Sequence, residues 1–300
     1  MKKKIETTIH PFLKGRTANV FLKKSCLIFL ALLLIVSLAA CGAGPREETE
    51  VPEEVAEFFH YCQGEKNAQI LMDALVTDVE QTYAGEFTCT IEKYVAFPNA
   101  FMMFVKYPQE YDGTFVFSEI CKGNYAENID EAANKHLSGA GGWSIEGLED
   151  NRAVILCTAN RQFDDGEEYS LVHKKDNKVI GVTSWRLDIK GESYNTVFPD
   201  FSSHGWMSVS PLGVAVDLYL VGDVSMEFPR INVLSEDKKV LATYELSASA
   251  YEQREILGES LCHVYATPRN GIIGEAIYDL TGAAEITIFD RSFKLEKVGQ

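Results

Sequence analysis

The chain has 300 residues and carries 28 Lys/Arg against 44 Asp/Glu, a formal net charge of −16 at neutral pH. An acidic surface of this kind repels phosphate backbones and anionic headgroups, which excludes nucleic acid as a partner. With 46% hydrophobic residues the chain can bury real cores, which excludes intrinsic disorder.

The N-terminal segment sets the address. An uncharged run extends from Ser25 to Pro45, 21 residues, with its strongly apolar part confined to Cys26–Ala40. Lys23 and Lys24 precede it, and Gly42, Gly44 and Pro45 follow. A membrane-spanning helix needs about 20 apolar residues. A basic flank, a shorter apolar core and a small-residue exit instead describe a secretory signal. The exit, Leu38-Ala39-Ala40-Cys41, resembles the lipobox of bacterial lipoproteins. That resemblance implies cleavage before Cys41, lipid attachment to its thiol, and a protein anchored at the extracytoplasmic face of the cell membrane. A diacylglycerol carries two acyl chains, enough for stable anchoring. Without residues 1–40, which hold seven Lys/Arg and Glu6, there remain 21 basic and 43 acidic residues, a net charge of −22.

Residues 42–54 are polar, acidic and contain two prolines, and they read as a tether. Helical spacing follows, with Val55, Phe58, Phe59 and Cys62 on one face, and then Ile70, Leu71, Ala74 and Leu75 in a second helix. From Phe87 the period becomes two, with Phe87, Cys89 and Ile91 alternating with Thr88, Thr90 and Glu92. Further strands are predicted at "FMMFVKY" (101–107), "TFVFSEI" (114–120) and "AVILCTA" (153–159), the last as a fully buried strand. A short helix is predicted over 129–137, capped by Asn128 with Glu131 and stopped at Gly139. "EEYSLVHK" and "KVIGVTSWRLDI" form a predicted hairpin across Asp176-Asn177, with Val179, Thr183, Trp185 and Leu187 on one face.

A polar break at 190–205 precedes seven more strand-like runs: "GWMSVS", "GVAVDLYLV", "KKVLATYELSA", "ESLCHVYAT", "GEAIYDL", "AAEITIF" and "SFKLEKV". Strands so spaced, without helices between them, predict antiparallel sandwiches rather than a parallel sheet. The expected organisation is a signal peptide over 1–40, a tether and short helix over 41–66, a first β-domain over 67–190 and a second over 191–300. The fold class is mainly β, as two antiparallel immunoglobulin-like sandwiches with short helices near the mature N-terminus.

Three segments carry a resemblance: "AGEFTCTIEKYVAFPNAFMMFVKYP" (84–108), "SVSPLGVAVDL" (208–218) and "AIYDLTGAAEITIFDRSFKL" (276–295). They are similar to the exported half of Gram-positive membrane proteins related to anti-sigma factors. In that group a turn like Ser210-Pro211-Leu212-Gly213 opens the second immunoglobulin-like domain. Only 24 residues precede the apolar run here, too few for the group's cytoplasmic sigma-binding domain. The resemblance therefore implies the extracellular module without sigma-factor binding, and it transfers no functional residue.

Motifs that carry chemistry are sparse. The histidines (His10, His60, His136, His173, His204 and His263) show no HExxH or H-x₃-H spacing, and Cys262 and His263 are strand neighbours that point to opposite faces. Cys62, Cys89, Cys121, Cys157 and Cys262 are widely spaced and odd in number, and Cys89 and Cys157 read as buried free thiols. There is no GxSxG, and the glycines of "SGAGGWSIEG" (138–147) read as a loop. The acid pairs Asp164-Asp165, Glu167-Glu168, Glu149-Asp150 and Glu236-Asp237 read as exposed turns, with a tight turn at Asp165-Gly166. Of the tryptophans, Trp185 is expected in a core and Trp206 partly exposed beside His204; a sugar platform built from Trp143, Trp185 and Trp206 is the rival use.

No catalytic residue, metal ligand or cofactor is expected, and Cys41 is the one modified residue. The expected function is a non-catalytic, lipid-anchored surface protein for sensing, adhesion or protein interaction, with an envelope protein or glycan as partner. The alternatives are an envelope-polymer hydrolase and the solute-binding lipoprotein of a transporter.

Overall fold

The computed structural model describes residues 51–61, 68–108, 117–134, 141–159, 162–197, 205–221, 230–245, 251–256, 259–265 and 277–298. Cys41, the tether before Val51 and the predicted helix stop at Gly139 lie outside them. The chain is mainly β, and every pairing among the described strands is antiparallel. Among the described residues no helix is long and apolar enough to cross a membrane.

Helix α1 (Glu53–Ala56), a 3-10 turn (Phe58–Tyr61) and helix α2 (Ala68–Ala74) come first. Strands β1 (Leu75–Val76), β2 (Gln81–Gly85), β3 (Thr90–Phe97), β4 (Ala100–Lys106) and β5 (Phe117–Lys122) follow, then helix α3 (Ile129–Asn134). Strands β6 (Gly141–Gly147), β7 (Arg152–Ala159), β8 (Glu168–Lys175) and β9 (Lys178–Arg186) complete two sheets. One runs β1-β3-β4-β7-β6, the other β2-β9-β8-β5.

The two sheets face each other across one core. Tyr94, Phe101, Met103, Ile155 and Cys157 come from the first sheet; Ile120, Tyr169, Leu171 and Trp185 come from the second. The back of the first sheet is covered too. Val95, Phe97, Met102, Phe104, Val154 and Leu156 meet Val55, Phe58, Leu71 and Ala74 of the helical segment. Successive residues of β4 therefore alternate between two dry cores. That is why its sequence is unbroken apolar, since alternation with polar residues appears only where one face is wet. Strand β7 obeys the same rule. The back of the second sheet is covered by α3, where Ala132 and Ile129 pack on Cys121, Val172 and Val182. Asn128 caps this helix as its sequence predicts, its side-chain oxygen accepting from the Glu131 amide at 3.3 Å.

Charge fastens the helical cap. Arg152 donates to Glu57 at 2.5 and 3.0 Å and to Glu92 at 2.7 Å, while Lys93 pairs with Glu57 at 3.1 Å and lies over the rings of Phe58 and Phe104. Burial alone would raise the Glu57 carboxyl, but the hydrogen bonds from Arg152 and Lys93 outweigh it and hold the group below its ordinary range.

Nine strands form the third sheet. They are β10 (Ser193–Val197), β11 (Gly205–Ser210), β12 (Gly213–Val221), β13 (Arg230–Ser235), β14 (Val240–Glu245), β15 (Tyr251–Ile256), β16 (Glu259–Tyr265), β17 (Ala283–Ile288) and β18 (Arg291–Val298), in the order β14-β13-β17-β18-β10-β11-β12-β16-β15. Ile231 and Val233 of β13 share a core with Met207, Val209, Val216 and Leu218 of β11 and β12. These strands stand far apart in the sheet order, so the sheet folds back on itself across β18 and β10. The Tyr244 hydroxyl closes the fold by donating to the Ser210 carbonyl at 3.0 Å. Sheet membership changes over Leu187–Glu192, while Val51–Gln300 clusters as one compact unit.

Several local expectations need correction. The first predicted helix is two short turns, and Cys62 lies outside the described residues. Val179 does not share a face with Trp185 and Leu187. The register slips between His173 and Lys174, leaving Ile180 as an extra residue in β9 whose carbonyl accepts from both Glu86 and Phe87 amides at 2.9 and 3.1 Å. Beyond that bulge Val179 joins the cluster under α3, whereas Trp185 and Leu187 stay between the sheets. The glycine-rich run at 141–147 is a strand and not a loop, and the polar break contains β10. Residues 277–280 are not a strand, although Ile277 and Leu280 are buried.

Candidate functional site

The two-sheet sandwich meets the nine-stranded sheet at the tip of the β3–β4 hairpin. Asn99 occupies that tip, fully buried, and its amide donates to the carbonyls of Ser208 and Gly213 at 3.1 Å each. The connecting segment is tied as well, with the Gly191 amide donating to the Ala96 carbonyl at 2.9 Å. A Cβ at Gly191 would stand 2.3 Å from the Phe97 ring, so the approach admits glycine alone. Leu212 and Ile277, from the second unit's loops, pack into the core behind the first sheet, and the Tyr278 amide donates to the Pro211 carbonyl at 3.2 Å.

Beside this junction lies a cleft of about 510 Å³. Its lining includes Ile70 and Asp73 of α2, Phe97 and Gly191, and Pro211, Leu280 and Thr281. Asp188, Lys190, Glu192 and Tyr194, around the connecting segment, complete it. The volume falls in the range of small-ligand pockets, about 300–1,000 Å³. Asp73 accepts from Gln69 at 2.6 Å, Lys190 pairs with Asp188 at 3.5 Å, and Glu192 pairs with Lys297. Burial raises the Tyr194 hydroxyl, the nearby Glu192 and Asp279 charges add to this, and Lys297 opposes it.

The residues singled out by sequence lie elsewhere. Trp185 is buried between the sheets and Trp206 is half-buried on β11, while the side chains of Trp143, His60, His136, His204 and His263 lie outside what is described. No platform of three tryptophans is therefore built, because Trp185 is spent in the core. His173 is buried against the rings of Phe87 and Tyr107, and burial lowers its pKa to about 3, so it stays neutral. Cys89, Cys121 and Cys157 are free and buried, with Cys89 and Cys121 pushed by burial up to about 12 and Cys157 raised by the same cause. The Asp164-Asp165 and Glu167-Glu168 pairs sit on the exposed turn at Gly166, with Lys122 at 2.5 Å from Asp164. Among the described residues, no group of three or more His, Cys, Asp and Glu side chains is arranged to hold a metal ion.

The cleft residues carried no sequence signal. Asp73, Asp188 and Glu192 belong to no motif, and only the packing of the two β-units gathers them. Comparison with protein-family models, with curated proteins and with solved structures finds no match to this chain.

Proposed function

We propose that this chain is a non-catalytic binding protein of the cell envelope, held at the outer face of the membrane by lipid on Cys41. Its ligand or partner docks in the junction cleft. The observation that carries the reading is that cleft, whose lining comes from both β-units beside the junction that Asn99 and Gly191 hold together. The leader, the acidic segment after Cys41 and the resemblance of residues 84–108, 208–218 and 276–295 to exported immunoglobulin-like modules support the same assignment. Sensing, adhesion and protein interaction all require a preformed recognition surface of this kind, and none requires a reacting group.

A solute-binding lipoprotein serving a transporter would draw on the same cleft. Such a protein closes two lobes around its ligand, whereas here buried hydrogen bonds and an apolar cluster pin both walls.

The test is metabolic labelling with a palmitate analogue in a Gram-positive host. The native chain is expected to take up label and fractionate with membranes, and Cys41→Ser to lose the label. A native chain without label, or a labelled Cys41→Ser, overturns the anchor.

A further inference from the structure

We infer that the joint between the two β-units is a hydration site, holding one internal water shared by Asn99 of the first unit and by Asn195 and Ser208 of the second.

Three buried polar atoms meet there. Asn99 is fully buried, and its amide nitrogen donates to the carbonyls of Ser208 and Gly213 at 3.1 Å each. Two carbonyl acceptors fix which end of the amide is nitrogen, and Oδ1 is left as the unused end. Ser208 is also fully buried, and its hydroxyl makes no hydrogen bond. Met207 and Val209 on either side of it enter the core of the nine-stranded sheet. Alternation therefore puts Ser208 on the opposite face, and Asn99 lies one hydrogen bond from its carbonyl. Asn195 of β10 stands directly opposite Ser208 in the register. Facing residues of an antiparallel pair have Cβ atoms about 5 Å apart, and the Asn195 Oδ1 is buried and unbonded too. Among the described residues, these three atoms bond neither one another nor anything else.

Their chemistry names the occupant. Each buried polar atom left unbonded forfeits its hydration. The two amide oxygens only accept, whereas the hydroxyl can donate. A water that gives one hydrogen to each amide oxygen and accepts one from Ser208 Oγ satisfies all three, and three bonds are what a buried water ordinarily makes. A cation would find two amides and a hydroxyl, with no charge among them to offset its desolvation. An anion would face the two amide oxygens. The bonds of the water cross the joint, so it extends to β10 the contact that Asn99 makes directly with β11 and β12. Strand β10 begins between the cleft residues Glu192 and Tyr194, so holding Asn195 steadies that side of the cleft.

The first test is a high-resolution crystal structure of the full chain in non-ionic detergent, which needs no variant. A single oxygen within about 3 Å of Asn99 Oδ1, Asn195 Oδ1 and Ser208 Oγ is expected. An empty site, side chains turned onto protein partners, or a peak with the short contacts of a metal ion overturns the inference. The second test is thermal melting of the same preparation. Ser208→Ala and Asn195→Ala should each lower the melting temperature by about 2–4 °C. The double variant should lose less than the sum, because a shared water is lost once. A hydroxyl that simply lacks a partner predicts the opposite sign, so a melting temperature raised or unchanged by Ser208→Ala overturns the inference, as do strictly additive losses.

Discussion

His173 stands between the rings of Phe87 and Tyr107 with no exposed surface, and its proton affinity is the cost of that position. Folding lowers its pKa from 6.5 to about 3. Between those values the unfolded chain binds a proton that the folded chain refuses, so stability is full above pH 6.5 and is lost as the pH falls toward 3. Going from neutral pH to about pH 5 should cost about 2 kcal/mol from this group alone. Urea titrations of the native chain and of His173→Leu at both pH values check it: the variant should lose less over the interval, and equal losses would remove His173 from the acid response. Single residues were unevenly legible in the sequence. Trp185 and Leu187 were placed correctly by alternation, and Cys89 and Cys157 by their apolar neighbours. Val179 was not, because a bulge depends on what pairs with Ile180 and leaves no mark in β9 itself. The cleft carboxylates were invisible for a related reason, since a site assembled from residues 70 to 281 has no local pattern.

At the scale of elements, the helical segment 53–61 holds its place by packing rather than by propensity. Four residues cannot sustain an isolated helix, yet Val55 and Phe58 are fully buried, and Phe58 meets Phe104 edge-on with ring centres 4.9 Å apart. Phe58→Ala should destabilise the fold by about 3–5 kcal/mol, read as a drop in the midpoint of urea unfolding. A change below about 1 kcal/mol would mean that the segment is not part of the cooperative core. The strands most legible in the sequence were β4, β7 and the β8–β9 hairpin. The hairpin's Asp176-Asn177 turn has both residues at positive φ, 50° and 61°, as a two-residue loop of this hand demands. Strands β6 and β10 were hidden. β6 is an edge strand paired with β7 from Gly141 opposite Ala159 to Gly147 opposite Ala153, and its glycine-rich start masks the alternation that would announce a strand, although Ile145 packs against the core between the sheets. The reverse error occurred at 277–280, where alternating apolar residues serve a loop that plugs a core instead of a strand.

For the molecule as a unit, the decisive contacts cross the junction. Leu212 and Ile277 complete the core behind the first sheet, and Asn99 completes the hydrogen bonding of the β11–β12 hairpin. Neither β-unit keeps its buried surface intact without the other, so calorimetric unfolding of the chain should show one transition rather than two. Two resolved peaks would show the units to be energetically separate. The mainly β, antiparallel character was readable because strands recur without intervening helices. The helical layers behind both sheets and the folded-back course of the nine strands were not, since they depend on which faces remain uncovered after pairing.

The three thiols sealed inside the sandwich give the molecule internal timers. Cys89 and Cys157 lie between the two sheets and Cys121 beneath α3, and in each the reactive thiolate is suppressed by burial. An alkylating reagent can tag them only while the protein breathes. If the helix lifts alone, Cys121 is marked first; if the sheets part, Cys89 and Cys157 are marked together, and the order of tagging records which seam opens.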